Sequence, residues 1–154
     1  MKTILVEGPP DLTLVRTLGF TRKTSSKRGG KGEVCNYLKK HTDLLALVDE
    51  DPHSTPSNYL KNLETKELMH SLLEYTDREK RHKIIALRPR LEEWILAVAK
   101  TAEIDLYKDF NLPNTAKALH DILPQKLAAF EKLIKHLVED QSPSILFLKK
   151  QLIE

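Results

Sequence analysis

Short apolar runs recur along the first part of the chain, at residues 3–6, 44–48 and 84–87. Runs of this length, without alternation, fit strands buried on both faces, as in a parallel sheet. Between the first two, Asp11 is placed to cap a helix whose face is Leu12, Val15 and Leu18, and Gly19 to stop it. Residues 20–24 read as a short strand, and Val34, Cys35, Leu38 and His41 recur at helical spacing. The order strand, helix, strand, helix, strand predicts βαβ units and a mostly parallel sheet.

Farther along, residues 59–66 read as a loop or short helix. Residues 68–76 suit a helix or a strand, and the charged turn after them favours a hairpin with residues 83–88, which Pro89 ends. Residues 90–104 carry the clearest helical stripe, Leu91, Trp94, Ile95, Val98, Ala99 and Ala102. A loop is expected at 105–113, a helix capped by Asn114, another starting at Pro124, and a last one opened by Ser142-Pro143. The expectation is a single α/β domain over residues 1–154. Residues 1–104 form its Rossmann-like core and 105–154 a helical C-terminal layer.

Composition narrows the function classes more than it names one. A net charge of +3 permits a nucleic acid partner without arguing for it. Cys35 is the only cysteine, which excludes an intramolecular disulfide and a Cys-rich zinc site. No apolar run approaches the roughly 18 residues of a membrane span, and Glu7 with two prolines breaks any signal-peptide pattern. A cytoplasmic protein without a membrane partner is expected.

The candidate chemistry lies where the apolar runs end. Glu7 follows the first strand, and Asp49 and Asp51 follow the second. In a parallel sheet these ends share one edge, the edge where open α/β sheets hold ligands. Residues i and i+2 of a strand point the same way, so Asp49 and Asp51 converge if the strand continues that far. A hard divalent cation would relieve their mutual repulsion.

Ile4-Leu5-Val6-Glu7-Gly8 with Asp11, followed by Leu47-Val48-Asp49-Glu50-Asp51, resembles the Toprim domain shared by topoisomerases, primases and several nucleases. Leu91-Glu92-Glu93-Trp94 is similar to an acidic element of stand-alone Toprim proteins related to the overcoming-lysogenization-defect nucleases. Pro52 and His53 depart from the small residues that many members carry after the aspartates. The resemblance implies a Rossmann-like fold and Mg²⁺- or Mn²⁺-dependent phosphoryl transfer on DNA or RNA. Asp49 and Asp51 would hold the metal, with Glu7 as a further ligand or general acid/base. At ~100° per residue, Glu92 borders the apolar stripe and Glu93 faces away, so Glu92 is the candidate ligand for a second metal.

Lys27, Arg28 and Lys31, beside three glycines, are candidates for phosphate contacts, although no P-loop pattern is present. Plain explanations stand beside each of these. The aspartates fit turn carboxylates, Glu92 and Glu93 fit a helix N-terminus, and the basic loop fits a solvated surface. The leading expectation is a metal-dependent nuclease. The alternatives are a non-catalytic Toprim-like module serving as a subunit of a larger complex or homo-oligomer, and a phosphate-ligand protein using Gly29-Gly30.

Overall fold

The computed structural model describes residues 2–55 and 57–153. Six strands, β1 (Ile4–Val6), β2 (Ser25–Lys27), β3 (Leu45–Asp49), β4 (Glu64–Leu68), β5 (Leu72–Asp77) and β6 (His82–Leu87), form one sheet in the order β2-β1-β3-β6-β5-β4. β1 pairs in parallel with β2 and β3, and β3 with β6. β5 and β4 continue the sheet antiparallel, with β5 and β6 as the expected hairpin.

The helices are α1 (Pro9–Leu18), α2 (Lys31–Lys40), α3 (Asn58–Lys61), α4 (Leu91–Thr101), α5 (Leu106–Phe110), α6 (Ala116–Ile122), α7 (Leu127–Glu139) and α8 (Pro143–Ile153). Alternation along the strands sorts them into two layers. Ile4, Val6, Leu45, Leu47, Ile85 and Leu87 pack against α1 and the helices from α4 to α8, with Trp94 and Phe130 among the largest buried side chains. Leu5, Ala46, Val48, Ile84 and Ala86 face the other way, onto Val34, Cys35 and Leu38 of α2 and Leu60 of α3. Each fully buried Leu or Ile contributes about 1.5–3 kcal/mol. The α/β class, the mostly parallel sheet and the C-terminal helices therefore stand as expected, with Cys35 and Trp94 in the core.

Local boundaries differ in instructive places. The strand expected at residues 20–24 lies instead at β2, and Phe20 is a buried core residue outside it. α1 begins at Pro9 rather than after Asp11, because prolines preset the dihedrals of a first helical turn. Asp11 becomes the third residue of the helix, and its Oδ2 accepts the Gly8 N–H at 3.2 Å. Gly19, at φ 132°, ends α1 as expected.

Residues 59–66 contain part of α3 and then β4, an edge strand whose side chains are almost all exposed. A strand open to solvent on both faces leaves no apolar alternation to read. The expected loop at 105–113 contains α5, where the Asp105 carboxylate accepts the Tyr107 and Lys108 N–H groups. Thr115, not Asn114, caps α6. Pro124 lies in a 3₁₀ turn (Leu123–Gln125) ahead of α7.

Candidate acidic site at the sheet edge

β1 and β3 are neighbours, and the chain leaves β1 for β2 on one side and returns to β3 on the other. That reversal is a topological switch point, where a crevice opens beyond the C-terminal strand ends. Glu7 and Asp49 flank it. Glu7 Oε2 accepts the Asp49 N–H at 2.6 Å, and Asp49 Oδ1 accepts the Leu91 N–H at 2.9 Å. Asp49 therefore ties the end of β3 to the first turn of α4, where the helix dipole favours a negative charge.

Two more carboxylates come from the first turns of α1 and α4. Asp11 is 8% exposed and Glu92 is 6% exposed. Among the described residues, Asp11 Oδ1 and Glu92 Oε2 are buried without a hydrogen-bond partner. The charges of Glu7, Asp11, Asp49 and Glu92 act on one another across this edge. Burial, then Asp49 and Glu7, push the Asp11 carboxyl well above the usual carboxylate range. Burial, then Glu7 and Glu92, push Asp49 up to about 7 against the opposing Leu91 N–H. Burial also raises Glu7, while the Asp49 N–H and Lys31 pull it down. An unpartnered buried carboxylate oxygen costs free energy that a fold normally avoids.

Asp51 lies at the margin of this cluster, where its charge still helps to raise Glu7. β3 ends at Asp49, and Asp51 turns into a left-handed conformation at φ 48°. The alternation that would aim it beside Asp49 is therefore lost. Its Oδ1 accepts from Arg90 Nε at 3.2 Å, and it lines a cavity with Glu7 on the α2 side of the edge. Glu92 turns inward and Glu93 pairs with Arg90, as the helical geometry predicts. Glu92 Oε1 meets His120 Nδ1 at 2.9 Å across 28 residues of sequence, and this bond raises the otherwise exposed imidazole.

The basic candidates divide. Lys31 Nζ donates to Glu50 O at 2.7 Å and stands near Glu7 and Asp49. The Arg28 guanidinium lies 3.9 Å over the Tyr37 ring, and Lys27 is exposed at the end of β2. The backbone N–H groups of Arg28 and Gly29 bond to Val6 and Glu7, so the glycine loop borders the same edge. Among the later cations, Arg81, Lys83, Arg88 and Arg90 are engaged in ion pairs with Asp43, Glu74, Glu50 and Asp51 respectively.

Sequence reasoning missed Asp11 as a member of the cluster, and His120 as the partner of Glu92. Asp11 had a signal, since Pro9 and Pro10 start the helix early enough to move it inside. His120 had none, because its partner lies on a different helix.

The oxygen-only donor set suits a hard cation such as Mg²⁺ or Mn²⁺, and the orphaned Asp11 and Glu92 oxygens fit such a partner. Among the described residues, no three Asp, Glu, His or Cys side chains already enclose an ion site. Hydrogen bonds to Asp49 N–H and Leu91 N–H, and the Arg90 pair, hold Glu7, Asp49 and Asp51 in their present positions. Nor is any helix among the described residues long and apolar enough to cross a membrane. A scan against protein-family models, a search of curated proteins and a search of solved structures each found no match.

Proposed function

We propose that this chain is a divalent-metal-dependent nuclease acting on DNA or RNA, as its resemblance to Toprim domains implies. The observation that supports the reading is that Glu7, Asp11, Asp49 and Glu92 lie within electrostatic reach of one another at one sheet edge, with two of their buried oxygens unpartnered. Each of the four has a hydrogen-bond partner, yet Asp11 and Glu92 each keep a second, buried oxygen unsatisfied among like charges. Asp49, Asp11 and Glu7 would hold a first Mg²⁺ or Mn²⁺, with Asp51 and Glu92 on its two flanks. When bound, the metal stabilises negative charge on a phosphodiester and its leaving oxygen. Glu7 is the carboxylate that both borders the open cavity and touches the cluster, so it orients the attacking group or moves its proton. Lys31, held by its bond to Glu50 O and lining the same cavity as Glu7, would contact the phosphate.

A second reading is a binding module that does no chemistry, favoured by the hydrogen bonds that already occupy Glu7 and Asp49. Calorimetric titration with Mg²⁺ and Mn²⁺ separates the two. The wild type is expected to bind metal, and Asp49→Asn to lose at least tenfold in affinity, while both keep the same far-ultraviolet circular dichroism. Metal-dependent cleavage of DNA or RNA should then disappear in Asp49→Asn. Metal binding that is absent, or unchanged by the substitution, sinks the nuclease reading and leaves the binding module.

A further inference from the structure

A cleft runs away from the acidic edge between α2 and residues 50–55 beyond β3, and its two ends differ in chemistry. Lys31, Asp51, Ser54 and Ser57 belong to both ends. The end beside Glu7 is polar, about 380 Å³, and has Lys31, Cys35 and Lys39 of α2 as one wall. Those three residues are spaced by four, so they share one helix face. The far end is a smaller, more apolar cavity of about 220 Å³, where Tyr75, Leu60 and Pro52 stand beside the charged Glu50, Asp51, Lys31 and Lys61. Tyr75 is held there by the sheet, paired with Ile84 of β6 and Thr65 of β4, and Leu60 is fixed in the core beneath. The aromatic face is therefore preset, not recruited from a loop.

We propose that this cleft holds one unpaired nucleotide of a single strand, with its phosphate against Lys31 and Lys39 beside Glu7 and its base against Tyr75 and Leu60. The inference rests on the nuclease reading for the identity of the polymer, and adds to it the strandedness of the substrate.

The order of the two ends carries the argument. A nucleotide is anionic at one end and a flat ring at the other, and the cleft presents cations beside the acidic site and an aromatic wall beyond them. The far cavity lies below the roughly 300–1,000 Å³ of drug-sized sites, so it takes a single ring. A cavity of about 220 Å³ has no room for a base pair, so a base that enters it has left its partner strand. Stacking on an aromatic side chain is tolerant of base identity because every base has a π-face. The expected selectivity is accordingly for single strands over duplex, with little preference among sequences. Ser54, Ser57 and Thr65 supply hydroxyls along the cleft for sugar or base edges.

The test is fluorescence anisotropy with a short labelled oligothymidine, an oligouridine of equal length, and the oligothymidine annealed to its complement. Each is measured with Ca²⁺ and again with EDTA. The wild type should bind single strands at least tenfold more tightly than duplex. Tyr75→Ala should weaken single-strand binding roughly fivefold or more, Tyr75→Phe should restore it, and duplex binding should not move. Because Tyr75 also packs in the sheet, Tyr75→Leu serves as a second variant. It keeps the apolar volume, should melt near the wild type, and should still lose the single-strand preference.

Equal affinity for single strand and duplex overturns the proposal, as do Tyr75 variants that bind unchanged. Tyr75-dependent binding that survives in Asp49→Asn, in a protein that cleaves nothing, leaves the cleft standing and removes the nuclease reading. Metal-dependent cleavage that is indifferent to Tyr75 does the reverse. Absence of binding to every oligonucleotide removes both. The uridine arm, which differs from thymidine in both the 2′-hydroxyl and the 5-methyl group, reports whether the cleft accepts RNA as well as DNA.

Discussion

Two regions of this molecule bury carboxylates, and they treat them in opposite ways. At the β5–β6 turn, Asp77 is 7% exposed. Its Oδ2 accepts the Tyr59 hydroxyl, and its Oδ1 accepts the Lys80 N–H at 3.0 Å. Burial pushes this carboxyl up, but the Tyr59 hydroxyl, the Lys80 N–H and nearby His82 outweigh it and hold Asp77 below the usual range. At the other end of the sheet, Asp11 and Glu92 are just as buried and each keeps an oxygen without a partner. The same chain that satisfies a structural carboxylate leaves two others each with a buried, unpartnered oxygen among like charges. Burial alone therefore does not mark a site; burial without partners does.

The sharpest way to break this comparison is to remove a carboxylate from each side. Asp77→Ala should destabilise the fold by about 2–3 kcal/mol, because it leaves the half-buried Tyr59 hydroxyl and Lys80 N–H without their acceptor. Urea unfolding followed by circular dichroism measures it. Asp11→Asn should do the opposite in the absence of metal. Its amide oxygen can still accept the Gly8 N–H, its amide group can donate to a neighbouring carboxylate, and one repelling charge is gone. The expected gain is about 1–2 kcal/mol. If both substitutions destabilise alike, the acidic edge is ordinary structure.

Much of this contrast was invisible in the sequence. The apolar runs at β1, β3 and β6 announced themselves because strands buried on both faces need continuous hydrophobic stretches, and Glu7 and Asp49 fell at their ends by inspection. The stripe of α4 was equally plain. β4 was hidden because an edge strand exposed on both faces has no period-two signal. Asp51 misled because alternation assumes an extended backbone, and the chain turns left-handed at that residue. Asp11 and Glu92 were legible as residues but not as a pair, since what unites them is the closing of α1 and α4 onto the same edge. Asp77 gave no sign of burial, because Tyr59 reaches it from another element.

Acidity offers a gentler probe of the same contrast. Asp49 titrates near 7 in the fold against 3.8 for an unconstrained aspartate. Between those values the native state binds more protons than the unfolded chain, so stability falls as pH rises. This stabilising protonation is fully present below the unfolded value and lost as pH passes through the folded one. Asp11 and Glu7, also raised, act in the same direction. Without divalent metal, the melting temperature should fall by several degrees from about pH 5 to about pH 8. Mg²⁺ should restore more of it at the higher pH, where the carboxylates are free to bind. A flat profile would mean that neither burial nor mutual repulsion raises these carboxyls in solution.

The smallest expected effect belongs to His120, and it bears on where the site ends. Its ring is 71% exposed while its partner Glu92 is 8% exposed on the side chain, so the pair joins a solvated group to a buried one. Solvent screening keeps such a pair weak, and His120→Ala should cost under about 1 kcal/mol of stability. The loss would nevertheless leave both Glu92 oxygens without a partner, since Oε2 already lacks one. Glu92 would then be freer to turn toward a cation. If Glu92 flanks the metal site, His120→Ala should change the calorimetric affinity for Mg²⁺ by severalfold even though stability barely moves. If Glu92 is only a first-turn carboxylate of α4, metal affinity should stay as in the wild type. That outcome would confine the site to Glu7, Asp11 and Asp49, with α6 serving as support.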